Sequence, residues 1–268
     1  MRFCSLSSCS YANCVVVQDQ NTCILIDCGL RKRDIRPFLA FSGLSPGDID
    51  AIIVTHRHND HVYGLKHFLK EKNVPVYSTN QVLQELHQGL DFSEPPRLNI
   101  LSECTGQKIG TLGVIPFKLS HDVETIGFMI SGDGERLGFM TDTGFVPDSC
   151  LKAFHDLDYL YIESNHDPDM YKRSAKPGYV IRRNLGSTGH LSNEQCGQAL
   201  QSWRLQNCKL VVLGHLSEED NEPGLALAAA RRNLPPDIPL VSAPSRMPGQ
   251  WSDSLIQIDK NKFASGDL

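Results

Sequence analysis

The sequence predicts an α/β domain in which sheets are covered by helices. Three observations carry this reading. Turn-bounded apolar runs of hairpin type dominate the first half, helical and strand-like runs alternate in the second, and no apolar run is long enough to span a membrane. A hydrophobic content of 40% with 21% charged residues is ordinary globular composition, so 268 residues can bury a sizeable core. We expect one domain over residues 1–258 and a flexible polar tail over 259–268. The nine cysteines include no C-x-x-C pair, which argues against a zinc ribbon or a dithiol redox site and for buried thiols. A net charge of −5 excludes a protein coated in positive potential but leaves room for a local basic patch. No charged segment followed by an apolar stretch opens the chain, so the expected location is the cytoplasm.

The elements follow in order. Met1, Arg2, Phe3 and Cys4 look like strand sequence, and the apolar runs 15–17 and 23–26 flank the turn-like Asp19-Gln20-Asn21, which reads as a hairpin. A helical pattern at 35–41 is broken by Ser45-Pro46-Gly47-Asp48, and 51–54 form a short buried strand that runs straight into Thr55-His56. Val62, Leu65, Phe68 and Leu69 recur at helical spacing. Residues 74–77 read as strand and 81–87 as helix; two strand-like runs then end at Leu119-Ser120-His121. Gly132-Asp133-Gly134 between the runs 126–130 and 137–140 is a hairpin turn, and the second arm ends at Thr141-Asp142. Strand 157–163, helix 193–203, strand 209–214 ending at His215, helix 225–234 and strands near 239–242 and 254–258 complete the chain.

One stretch stands apart. Residues 55–64 read THRHNDHVYG, crowding His56, His58, Asp60 and His61 into six positions. Residues two apart on an extended segment point the same way, so His56 and His58 can reach one cation at about 2.0–2.1 Å. Asp60 and His61, entering a helix, face differently and suit a second. His121, Asp142 and His215 each follow an apolar strand by a residue or two, where a scaffold can fix geometry. A carboxylate such as Asp142 can span two cations about 3.5–4 Å apart.

Together with Asp27 after an early strand, this set resembles the metallo-β-lactamase superfamily over essentially the whole chain. The resemblance implies a four-layer αββα sandwich with the metals at one edge between its sheets. It implies that His56, His58 and His121 hold one metal, that Asp60, His61 and His215 hold the other, that Asp142 lies between them, and that Asp27 orients a ligand histidine. The metals would be two divalent ions, zinc or manganese, with iron also compatible with imidazole ligation. Flavodiiron oxidases usually carry a carboxylate where His58 stands. The stretches ESNHD (163–167), GHLSN (189–193) and LGHLS (213–217) look instead like the YycJ/WalJ group, described as DNA exonucleases. That group usually has Gly-Ser-Ser-Gly-Asn-Cys near its start, whereas this chain reads CSYANC over 9–14.

GHLSN also speaks for itself. Ser192 followed by Gln195 is a capping-box arrangement, so His190 precedes a helix N-terminus, where an anion is favoured. His190 is therefore a candidate to contact the scissile phosphate or protonate the leaving oxygen, and Asp60 a candidate to manage the proton of an activated water. His166, Arg182, Ser192 and Asn193 are candidates for substrate contact. Lys172, Arg173, Lys176, Arg182 and Arg183, with Tyr171 and Tyr179 interleaved and no acidic residue over 170–193, form a basic strip suited to nucleic acid; the resemblance implies DNA rather than RNA. The expected function is a dinuclear metal phosphodiesterase, a DNA exonuclease. A hydrolase of a small ester, thioester or lactone is the alternative, and a metal-binding regulatory module the non-enzymatic one.

Overall fold

Alternation of buried side chains to opposite faces builds two sheets, each apolar on both sides. The computed structural model describes residues 1–89 and 96–265. The first sheet contains β1 (Arg2–Cys9), β2 (Ala12–Gln18), β3 (Cys23–Ile26), β4 (Ala51–Ile53), β5 (Val76–Ser78) and β6 (Leu98–Ile100), in that spatial order. Between its strands run α1 (Lys32–Phe41), the short α2 (Asn59–Val62), α3 (Leu65–Glu71) and α4 (Asn80–Gly89). The second sheet contains β7 (Gln107–Ile109), β8 (Leu112–Lys118), β9 (Ile126–Gly132), β10 (Glu135–Met140), β11 (Tyr159–Glu163), β12 (Leu210–Gly214) and β13 (Leu240–Ser242), again neighbours in chain order. Its helices are α5 (Asp148–Ala153), α6 (Pro168–Lys172), α7 (Gly178–Asn184), α8 (Asn193–Ser202) and α9 (Pro223–Arg231); the last helix, α10 (Ser252–Ser265), returns to β1 of the first sheet.

Both sheets follow one plan. Antiparallel hairpins come first, β1 to β3 and β7 to β10; parallel strands joined through helices follow, β3 to β6 and β10 to β13. Parallel strands need both faces covered, and the period-two pattern supplies this. In β3, Ile24 and Ile26 pack between the sheets, while Cys23 and Leu25 pack under α1 and α3 with Leu39, Leu65 and Phe68. In β11 and β12, Tyr159, Tyr161, Leu210 and Val212 face the first sheet, and Leu160, Ile162, Val211 and Leu213 meet Leu200, Ala226 and Ala230 of α8 and α9. The result is helix, sheet, sheet, helix: the αββα sandwich.

Two expectations change. Residues 254–258, read as a strand, lie inside α10, which continues through Ser265 across most of the expected tail; 266–268 fall outside the described residues. A five-residue run with apolar Leu255, Ile256 and Ile258 fits a strand and a helix equally, and the length of the segment decides. The 9–14 turn needs no glycine. Cys9 pairs with Ala12 across it, and none of its residues has positive φ, so side chains at both positions cost no left-handed strain. All nine cysteines are free thiols and only Cys104 is exposed. No helix among the described residues is long and apolar enough to cross a membrane.

Candidate metal centre

The C-terminal ends of five of the parallel strands converge at one edge between the sheets and deliver polar side chains there, where open α/β sheets place their ligands. Asp27 follows β3, His56 follows β4, Asp142 follows β10, Glu163 closes β11 and His215 follows β12. His121 comes three residues after the antiparallel β8. Nitrogen or oxygen atoms of His56, His58 and His121 lie within 4.8 Å of one another, as do those of Asp60, His61 and His215. Asp142 sits against both groups: its Oδ2 is 3.3 Å from His61 Nε2, and its Oδ1 is 3.5 Å from His215 Nε2 and 3.9 Å from His121 Nε2. The residues singled out in the sequence as metal candidates are thus brought together from positions 56 to 215.

The donor atoms fit divalent cations. His56 Nε2, His121 Nε2, His215 Nε2 and Asp142 Oδ2 are buried without a hydrogen-bond partner. Such groups are costly unless something satisfies them. Imidazoles and carboxylates converging on one edge are the ligand chemistry of zinc, iron or manganese. Without cations the cluster redistributes charge internally. Burial and the neighbouring His61 hold His56 well below the ordinary histidine range, favouring the neutral imidazole a metal requires. Burial opposes charge on His61 and His215 as well, but Asp142 and Asp60 overcome it and raise both.

The other ring nitrogens are occupied, which fixes tautomer and orientation. His61 Nδ1 is 2.7 Å from Asp27 Oδ2, a contact that fixes the orientation of this imidazole. Asp27 is itself held by the Thr55 N–H and hydroxyl, both at 2.8 Å, and burial raises its carboxyl against the pull of His61. Glu163 was missed. Fully buried, its Oε1 accepts from His190 Nδ1 at 2.8 Å and from His215 Nδ1 at 2.9 Å. Its burial would raise the carboxyl, yet the two imidazoles bring it down to about 2. Asn13 was missed too: its side-chain N–H group donates to Asp60 Oδ2 at 3.1 Å and lies 3.0 Å from His61 Nε2. The signal for Glu163 was its place directly after an apolar strand, shared with the other site residues; for Asn13 the sequence held none beyond the turn itself.

A cavity of about 270 Å³ opens over this cluster, and His190 lines it. The substrate candidates divide. Ser192 caps α8 in the expected capping box with Gln195 and is buried. Asn193 pairs its amide reciprocally with Asn221 and accepts from the Ser164 hydroxyl. His166 is buried against the Tyr171 ring, 4.7 Å between centroids. These three are buried behind the cavity and do not line it, their polar groups engaged or enclosed there. Arg182 is exposed but does not line the cavity; Arg183 and Val180, on the adjoining face of α7, do, with Lys176 ahead of that helix. One helical step separates the two arginines and turns one from the cleft. The basic strip is accordingly split, and Lys176 is also engaged by Asp220 and Glu219.

Comparison with known proteins gives three findings. The family described as "Beta-lactamase superfamily domain" matches residues 22–216. The chain is 28% identical to exodeoxyribonuclease WalJ of Streptococcus pneumoniae over 228 residues, covering 84% of this chain and 85% of that protein, and 28% identical to exodeoxyribonuclease YycJ of Bacillus anthracis over 227 residues, covering 84% and 86%. The crystal structure of the metallo-beta-lactamase fold protein YhfI from Bacillus subtilis superposes with a TM-score of 0.71 at 16% identity, over 92% of this chain and 98% of that one.

Proposed function

The chain belongs to the beta-lactamase superfamily and is a hydrolase of the metallo-β-lactamase fold, and from that premise we propose that it hydrolyses phosphodiesters at a two-metal site, as an exonuclease on DNA. The observation that carries this reading is the lining of the cleft. It offers the cations Lys176 and Arg183, the latter 3.7 Å from the carboxylate of Asp122 that lines the same cleft, and a single aliphatic side chain, Val180. An ester, thioester or lactone needs an apolar seat for its acyl or carrier group; a phosphodiester needs positive charge and proton donors.

Two divalent cations bound here would supply Lewis acidity toward the phosphoryl oxygens and lower the pKa of a water from about 15.7 to about 7. His56, His58 and His121 would hold one and Asp60, His61 and His215 the other, with Asp142 lying against both groups. Asp27 and Glu163 keep His61 and His215 protonated at Nδ1, so that Nε2 faces the centre. Asp60 accepts the proton that the nucleophilic water gives up. His190, held through Nδ1 by Glu163, presents Nε2 to the leaving oxygen and donates its proton there; Glu163 stabilises the charged imidazole beforehand. Arg183 supplies positive charge to the strand approaching the site, while Lys176 stays engaged by Asp220 and Glu219.

The test uses metal-replete protein, with zinc and manganese in separate arms, on a 5′-phosphorylated DNA duplex and on a model thioester. Hydrolysis of the DNA is expected, and a preference for the thioester overturns the reading. His190→Ala should lower turnover on DNA by about 10²–10⁴ at unchanged metal content. On bis(p-nitrophenyl) phosphate, whose leaving group needs no proton, the loss should be far smaller. Equal losses on both substrates remove His190 from the proton transfer.

A further inference from the structure

Across the Ser10–Tyr11 turn from the metal centre lies a second cavity, of about 240 Å³. Ser10 lines the metal-centre cavity and Tyr11 this one, so a single turn separates them. Arg31, Arg33, Arg246 and Asp34 supply its charged lining. The guanidinium carbons of Arg31 and Arg246 lie 4.5 and 4.6 Å from the Tyr11 ring centroid, so two like charges are gathered on one aromatic ring. Arg246 is neutralised by Glu218, with Nε 2.9 and 3.0 Å from its two oxygens, and Arg33 is 3.7 Å from Asp34. Arg31 has no carboxylate within ion-pairing distance among the described residues. It also precedes the first turn of the ten-residue α1, whose leading N–H groups and dipole favour an anion.

Resting on the phosphodiesterase reading, we propose that this cavity holds a second phosphate of the same nucleic-acid strand, flanking the scissile one, with Arg31 as its principal contact. Planar guanidinium groups suit the bidentate recognition of phosphate oxygens. Tyr11 holds the arginine in place, and the turn that carries Tyr11 also carries Asn13, bonded to Asp60 and His61. A strand seated in both cavities is thereby registered against the metal centre. The consequence is selectivity for a strand over a compound with one phosphate.

Arg31→Ala and Arg31→Lys are compared with the parent protein on a short oligodeoxynucleotide and on bis(p-nitrophenyl) phosphate, after thermal melting has shown that each variant is folded. The expected result for Arg31→Ala is a KM about tenfold higher on the oligonucleotide with kcat within about twofold, and unchanged kinetics on bis(p-nitrophenyl) phosphate, with Arg31→Lys between. Removing the 5′-phosphate or placing a neutral methylphosphonate beside the scissile linkage should impose the same loss on the parent and none on Arg31→Ala; which of the two does so tells a terminal phosphate from an internal one. Equal effects on both substrates, or none on the oligonucleotide, overturn the proposal. Fluorescence anisotropy with the labelled oligonucleotide in chelator gives a readout free of catalysis. There Arg31→Ala should weaken binding and reduce the salt slope by about one. Arg31-dependent binding without cleavage of any phosphodiester would retire the hydrolytic reading and keep the cavity; cleavage without Arg31 dependence would do the reverse.

Discussion

Asp27, Asp142 and His215 share a backbone conformation that side chains rarely take, with φ of 60°, 60° and 54°. Each such residue costs on the order of 1 kcal/mol or more, and such strain persists where the surroundings over-determine it. Here the surroundings are strand ends that must stop and aim a side chain inward within a residue or two. The ligand types were legible because they follow apolar runs at once; the strain was not, since nothing in a sequence distinguishes a left-handed aspartate from an extended one. Glu163 escaped because a lone carboxylate after YLYI resembles a solvated strand end. His166 gives a pH test at this scale. Burial drives it down to about 4 from 6.5, against the pull of Glu163. The folded state therefore resists its protonation: its contribution is complete above about pH 6.5 and is lost as pH falls toward about 4. In chelator, the stability difference between the parent and His166→Gln, measured by urea unfolding, should shrink by on the order of 2–3 kcal/mol across that window. A constant difference would show that His166 titrates normally.

Between β3 and α1 a single position ties three segments together. Gly29 donates its N–H to Asn13 O at 2.9 Å, and a Cβ built there would stand 1.7 Å from Asp60 O. The turn bearing Asn13, the end of β3 and the start of α2 close on this point, and no side chain fits. Gly29→Ala should push α2 aside, weaken metal binding at least about tenfold and cost about 1–3 kcal/mol of stability. Calorimetric metal titration and thermal melting check both; unchanged affinity would separate the position of α2 from the site. Elements were legible where long apolar runs met turn residues, as in the hairpin of β9 and β10. They were not at α7, where YVIRRN carries too few apolar positions to show a period, so the basic residues were read as one strip although the helix points Arg183 and Arg182 apart.

The two sheets repeat one plan, hairpins then parallel strands, and the metal centre lies where their parallel ends meet. The sandwich was legible from the order of strand and helix together with the family resemblance; the pairing of the two half-sites across the seam is set by packing of residues such as Ile26, Phe139 and Tyr161 between the sheets. Cations that bind the folded chain and not the unfolded one add stability by mass action, about 2.7 kcal/mol at a hundredfold excess over Kd. Stripping them with chelator should lower Tm by roughly 5–10 °C, reversed by adding zinc or manganese. An unchanged Tm would mean that the orphaned imidazoles bind nothing tightly. The same seam also sets when the centre can assemble. His56 precedes His215 in the chain, so until the later half has docked, a nascent or torn molecule holds only part of the converging side-chain set.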